Sequence, residues 1–297
     1  MNIVKKIFVT LKGVGDHPLN RNAKLRSMWN FCVAQVAVRC VPGDICVPFP
    51  NATHLLISPR MKGAAHFISP GLCEFEEMVF VTHFLRPEDL FVDVGANAGA
   101  YTLLASGVAG ASTVAVEPSP STFLFLKRNI LLNELASRVT PVHAALCRSE
   151  GRLRITENLG TENYVCPQGE AGPSVEVPVT TLDALLRDKK PSLIKIDVEG
   201  FETEVLAGAT ETLARLSLQA MIVERAGNAA RYGYDETALH HQIRAHGFSP
   251  FAYVPSNRSL TPLAPESRGN IIYLREPAAI EKLLARSPAI TFGGHQI

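Results

Sequence analysis

Five carboxylates close four short β-branched runs: Asp93 in "LFVDV", Glu117 in "STVAVE", Asp197 and Glu199 in "SLIKIDVE", and Glu224 in "LQAMIVER". Acids at the carboxyl ends of parallel strands gather at one edge of a sheet and form a crevice that favours a cationic ligand and repels phosphate. Between the first two runs lies "GANAG", residues 95–99, a strand-to-helix turn. Gly95 permits a backbone closed to side chains, Asn97 tolerates positive φ, and Gly99 lets the next helix start close to the sheet. Asp93, Gly95, Ala96, Asn97 and Gly99 are therefore read as one wall of a ligand cradle.

Such turns usually wrap part of a nucleotide. A dinucleotide site wants G-x-G-x-x-G, but counting from Gly95 the second and third positions hold Asn97 and Ala100. The missing glycines and the acidic crevice weaken an NAD-binding reading, which stays as an alternative. S-adenosylmethionine suits the same crevice, having a sulfonium, an ammonium and a ribose diol but no phosphate. Glu117 lies 22 residues after Gly95, where a carboxylate can accept both ribose hydroxyls, with Pro118 beside it. Alone, Glu117 could equally cap the helix starting near Ser119. Asp93 would face the amino-acid end, and His143 and Ala144 would border the adenine.

Positioning these groups requires a sheet, and from about residue 88 the pattern supplies one. Short β-branched runs alternate with amphipathic stretches, which predicts an α/β fold with a doubly wound, mostly parallel seven-stranded sheet. Its strands are read at 90–94, 112–117, 139–146, 192–199, 218–225, 249–254 and 270–275, within a unit spanning 88–275. Helices are expected from Gly99 to about Ser106, over 121–136, from Phe201 along "FETEVLAGATETLARL", and near 236–246. "GRLRIT" and "SVEVPV" predict an inserted β-hairpin, about 147–180, around the loop "ENLGTENYVCPQGEAG". Residues 1–87 lack this rhythm and read as a cap on the ligand edge, with "MWNFCVAQVAVRCV" as a buried helix. Residues 276–297 read as a short helix and a frayed end.

The chain has 297 residues, is 46% hydrophobic and carries a formal charge of +1, enough for one large core and too neutral for nucleic-acid binding. No run approaches the roughly 18 apolar residues of a membrane span, and the first apolar run is too short for a secretory signal. The six cysteines show no metal-ligand spacing and read as reduced thiols of a cytoplasmic protein. A small molecule is the expected partner, with neither nucleic acid nor membrane.

The sequence resembles the FkbM-type methyltransferases, S-adenosylmethionine-dependent enzymes of the Rossmann-like class I methyltransferase fold. The likeness rests on "FVDVGANAGAYTLLAS", "VAVEPSP", "PVHAAL", "TLDAL" and above all "LIKIDVEGFETEVLAGA". It implies methyl transfer to a hydroxyl on a sugar, polyketide or other metabolite. It also implies that Asp93, Gly95, Asn97, Gly99 and Glu117 hold the cofactor, with "IDVEGFE" beside the chemistry.

Methyl transfer is an in-line displacement governed by positioning, and a hydroxyl acceptor must also lose its proton. Asp197 is the first candidate base and Glu199 the second. Each has another reading: Asp197 could hold the methionine ammonium, and Glu199 and Glu202 could be first-turn acids favoured by a helix dipole. No metal is expected, although Asp197 and Glu224 could form a two-carboxylate site. His54, His66 and His83 could reach an acceptor pocket from the cap, while Tyr101 and Trp29 read as packing residues. A non-catalytic protein keeping the same fold is the rival from another functional class.

Overall fold

The large sheet is built from strands that are apolar on both faces, as a parallel sheet covered by helices requires. A computed structural model describes residues 3–297 apart from 60, 62, 63, 70, 158, 168 and 293. Asn158 and Gln168 of the expected hairpin loop, and residues 1 and 2 of the cap, thus lie outside the described residues.

The cap comes first. Helices α1 (Ile3–Asp16) and α2 (Lys24–Cys40) form a hairpin, followed by the antiparallel strands β1 (Ile45–Pro48) and β2 (His54–Ile57) and the helices α3 (Ala64–Ile68) and α4 (Phe75–Phe84). Then β3 (Leu90–Val94), α5 (Ala100–Leu103), β4 (Ser112–Val116), α6 (Pro120–Leu132) and β5 (Val139–Val142) begin the alternation. The inserted strands β6 (Ala145–Leu146), β7 (Gly151–Thr156) and β8 (Ser174–Thr180) make a separate small sheet, with β7 and β8 antiparallel as expected. After α7 (Leu182–Leu185) come β9 (Leu193–Ile196), α8 (Glu202–Ala207), α9 (Thr210–Ala214), β10 (Ala220–Arg225), α10 (Glu236–Ala245), β11 (Ser249–Val254), β12 (Ser259–Pro262) and β13 (Gly269–Leu274). Helix α11 (Pro277–Ala285) and the short strands β14 (Thr291–Phe292) and β15 (His295–Gln296) complete the described chain.

The strand order is β12-β11-β13-β10-β9-β3-β4-β5. Contacts from β5 across to β10 are parallel, and β13 runs antiparallel to both β10 and β11. All seven expected strands are present, and β12 adds an eighth at the edge. The order reverses between β3 and β9, and ligands of doubly wound sheets bind at such a reversal. Val92, Val94, Ile194 and Ile196 point into one core layer, while Phe91, Ala115, Leu193 and Ile222 point into the other. Each fully buried aliphatic contributes about 1.5–3 kcal/mol by leaving water.

Several expected boundaries move for local reasons. The third strand divides: residues 139–142 stay in the large sheet, whereas 145 and 146 pair with β8. The fourth stops at Ile196, and Glu199 turns away in the left-handed region at φ 57°. The long helix expected after Phe201 breaks at Gly208, whose place would put a Cβ 2.2 Å from the Cys147 carbonyl oxygen. The end of the chain is not frayed: β14 and β15 form a hairpin, and Thr291 N donates to Asn51 Oδ1 at 3.1 Å.

The helix expected to be buried at 28–41 is only half so. Ser27, Phe31 and Ala34 of α2 are buried, while Trp29 is 69% exposed. Elsewhere the cap is stitched to the sheet layer. Asn129 of α6 accepts from Leu56 N at 2.6 Å and donates to Leu56 O at 3.0 Å and to Ala98 O at 2.8 Å.

Candidate functional site

The glycine turn is folded by close approach of three strand ends. Gly95 (φ 78°) and Ala96 both donate backbone N–H to Val116 O, at 3.0 and 2.9 Å. A Cβ at Gly95 would fall 1.9 Å from the Asp197 carbonyl oxygen, so glycine is required on both steric and conformational grounds. Asn97 takes φ 53°, and its side chain accepts from Ala98 N at 2.7 Å. Gly99 (φ 95°) starts α5 against Leu126 of α6.

A cavity of about 280 Å³ lies at the β3/β9 reversal. Asp93, Gly95, Ala96, Asn97, Glu117 and Pro118 line it, as do Ala144, Asp197, Glu199 and Glu224. Two residues expected at the cofactor fall outside this lining. Gly99 sits behind it against α6. His143 is exposed, stacks on Phe123 with centroids 4.7 Å apart, and shares a hydrogen bond with Pro118 O at 3.1 Å.

The cavity's electrostatics follow from burial of many acids. Glu117 accepts from Asn97 N at 3.0 Å and Ser119 N at 2.9 Å, which ties the second strand end to the glycine turn. Burial nonetheless pushes its carboxyl up to about 7. Asp93 is 1% exposed; Thr102 Oγ1 donates to its Oδ2 at 2.7 Å, while its buried Oδ1 has no partner among the described residues. Burial also raises the Asp93 carboxyl. Glu224 is pushed up to about 8, first by burial and then by Asp197, Glu199 and Glu202.

Glu202 stands apart from this group. Its Oε1 accepts from Val198 N at 3.1 Å and Gly200 N at 3.2 Å, so it braces the turn that presents Glu199. Glu199 in turn accepts from Asn228 Nδ2 at 3.1 Å. Asp197 and Glu224 share the cavity, but among the described residues no group of three or more His, Cys, Asp or Glu could hold a metal ion.

The structure adds residues that the sequence reading did not assign. Lys195 lies opposite Asp93 in the β3–β9 register, is 3% exposed, and donates to Asp197 Oδ2 at 2.7 Å. Burial works against its ammonium, but Asp197, Glu74 and Asp93 outweigh that and raise it. The Nζ sits 4.6 Å from the Tyr101 ring centroid, and Tyr101 donates its hydroxyl hydrogen to Glu74 Oε2 at 2.6 Å. Tyr101 is thus a cavity wall as well as a packing residue. A lysine inside an otherwise apolar strand, "LIKID", was the available signal, since a charge there must be paired.

From the cap come Met61, Phe67, Cys73 and Met78. None of the three cap histidines lines the cavity. His83 is buried and hydrogen-bonded to Tyr253 at 2.7 Å, His66 packs on Phe31, and His54 is exposed. The inserted hairpin contributes Asn163, Tyr164 and Val165. Asn163 Nδ2 donates to Ser119 Oγ at 3.4 Å, and the Arg231 guanidinium lies 3.7 Å from the Tyr164 ring centroid, so this loop is pinned on both sides of the cavity.

Comparison with known proteins identifies the family. The "Methyltransferase FkbM domain" matches residues 93–250, from the glycine turn to β11. The hexuronic acid methyltransferase AglP of Haloferax volcanii is 31% identical over 140 residues, 46% of this chain and 56% of that protein. The methyltransferase sdnD of Sordaria araneosa is 30% identical over 162 residues, 43% of this chain and 62% of its own. The matches thus span about three fifths of these relatives' lengths. Among solved structures, the C-terminal domain of precorrin-6Y C5,15-methyltransferase from Rhodobacter capsulatus has a TM-score of 0.39 and 14% identity, covering 68% of this chain and 87% of that one. With more than half its length matched, and the glycine turn and strand-end acids inside the match, the chain belongs to the FkbM methyltransferase family.

Proposed function

We propose that this protein is an S-adenosylmethionine-dependent O-methyltransferase acting on a hydroxyl of a sugar-like or other small metabolite. The observation that carries the reading is the meeting of Asp93, the Gly95 turn, Glu117 and Asp197 on one cavity at the sheet's reversal point.

The residues fit the cofactor. Buried Asp93 offers an unpartnered carboxylate oxygen that suits an ammonium, and Gly95 leaves backbone where any side chain would collide. The oxygens of Glu117, held by the N–H groups of Asn97 and Ser119, keep lone pairs for a ribose diol. Bound there, S-adenosylmethionine would supply an electrophilic methyl group. The excess of carboxylates suits its two cationic centres and disfavours the pyrophosphate of NAD.

The acceptor would enter between the cap and the inserted hairpin, against Glu74, Tyr101 and Tyr164. Asp197 holds Lys195 through Oδ2, and its other oxygen is the first candidate to take the acceptor proton, with Glu199 second. Glu224, with its carboxyl near 8, is suited to keep a proton within the acid cluster at neutral pH. The relative named for hexuronic acid supports a carbohydrate acceptor.

The test is transfer of labelled methyl groups from S-adenosylmethionine to hexuronic acid glycosides and neutral hexosides. The proposal expects a label that survives mild base, as an ether does. A base-labile label would identify a carboxylate ester and overturn the hydroxyl assignment.

A further inference from the structure

The mechanism leaves the α1–α2 hairpin without a role, yet it carries an unusual surface. Among the described residues, seven of the twelve exposed large apolar side chains fall within the first 41 residues, which marks a patch rather than ordinary surface scatter. Helix α2 has two apolar stripes on opposite sides. Ser27, Phe31 and Ala34 face inward, and Phe31 and Ala34 pack against Val14 of α1 and Ala65 of α3. Leu25, Trp29, Val33 and Val36 recur at three- and four-residue steps on the outward side and are 84%, 69%, 49% and 61% exposed. Helix α1 adds Phe8, at 69%.

The charge of this segment is as distinct as its apolarity. Residues 1–40 hold seven Lys and Arg against one acid, Asp16, a balance of +6 in a chain whose total is +1, so the remainder carries −5. Asp16 is already paired with Lys24 at 2.7 Å. Arg26 and Arg39 flank the outward stripe, both exposed. The hairpin is also anchored, since His17 Nε2 meets Leu72 O at 2.7 Å, and its own turn is held by Asn20 Nδ2 donating to Val14 O at 2.8 Å. The stripe is therefore held in place on the protein body.

We propose that the outward face of the α1–α2 hairpin docks on an anionic lipid bilayer as a peripheral, non-spanning contact. No described helix is long and apolar enough to cross a membrane, so attachment would be interfacial. Exposed Trp, Leu and Val flanked by Arg are side chains that sink into the headgroup boundary while their basic neighbours meet anionic lipid. A second copy of the chain fits poorly, because two such faces would bring the exposed Arg26 and Arg39 against their like charges. The sequence reading expected no membrane partner, and this proposal departs from it. Docking also puts the bilayer one helix layer from the cavity, since α3, on which α2 packs, supplies Phe67 to the cavity wall.

Trp29 is the only tryptophan in the chain and lies in the middle of the stripe, so its emission reports docking directly. The full chain is titrated with vesicles of phosphatidylcholine alone and of phosphatidylcholine with about a third phosphatidylglycerol. The expected result is a blue shift of Trp29 emission and flotation with the anionic vesicles, at least about tenfold weaker on neutral ones and reduced by salt. Val33→Glu with Val36→Glu should abolish both signals while leaving affinity for S-adenosylhomocysteine and Tm unchanged. Unmoved emission and no flotation on anionic vesicles would overturn the proposal. A blue shift that instead rises with protein concentration without lipid, together with a doubled sedimentation mass, would assign the face to a second copy and overturn it too. Neither outcome bears on methyl transfer.

Discussion

Asp197 and Lys195 show how one strand end serves both fold and site. A buried lysine needs a counter-charge, and Asp197 supplies it at 2.7 Å while still lining the cavity. Asp197→Asn keeps the shape and a hydrogen-bond acceptor for Lys195 but removes the charge. The expected outcome is loss of turnover by at least about a hundredfold, the scale of general-base catalysis, with affinity for S-adenosylhomocysteine kept within about threefold. Steady-state rates beside calorimetry separate the two. Equal loss of both would make Asp197 a cofactor ligand. At this scale the sequence was informative about local geometry: Gly95 and Asn97 take the positive φ read from their types, and with Glu117 they line one cavity. It was silent on Glu74 and Tyr164 and gave Tyr101 only a packing role; all three reach the cavity through packing between segments far apart in the chain. Nothing in their local pattern distinguishes them from other loop or helix residues.

Among elements, the inserted hairpin shows the clearest division of labour. Strands β7 and β8 pair over six positions, from Gly151–Val179 to Thr156–Ser174, and Val165 of the loop bridges back to Ile155 of β7. The same loop sends Asn163, Tyr164 and Val165 to the cavity. Replacing residues 157–172 by a short Asn-Gly turn should leave Tm within a few degrees and weaken S-adenosylhomocysteine binding about tenfold. A large fall in Tm with unchanged affinity would make the loop a structural brace. Period-two alternation made the two strands legible, and hydrophobic runs made the seven sheet strands legible. The unforeseen features depend on tertiary contact: the break at Gly208 answers a carbonyl of another segment, and the β14–β15 hairpin rests on the cap. The two-sided helix α2 was misread as buried because apolar periodicity alone does not say which stripe meets the core.

For the whole molecule, the concentration of acids at one sheet edge links stability to pH. Burial raises Glu117 and Glu202 to about 7 and Glu224 to about 8, against ordinary values of 4.5. Between those limits the folded chain holds protons that the unfolded chain has released. Their contribution to stability is thus full below about pH 4.5 and is lost as pH rises through about 7 to 8. The ligand-free protein should accordingly show a Tm that declines by several degrees between about pH 5 and 8, and Glu224→Gln should flatten the upper part of that decline. Differential scanning calorimetry across this range checks the sign; a Tm that rises through it would mean that these acids are ionised and paired in the fold.

The acid-lined cradle is proposed to hold a sulfonium cofactor rather than a dinucleotide. Calorimetric titration with S-adenosylmethionine, S-adenosylhomocysteine and NAD, on the parent chain and on Glu117→Ala, tests it most directly. Expected are binding of both sulfur ligands at one site per chain, no binding of NAD, and binding about tenfold or more weaker on Glu117→Ala. Binding of NAD without either sulfur ligand, or a Glu117→Ala variant as tight as its parent, would contradict it.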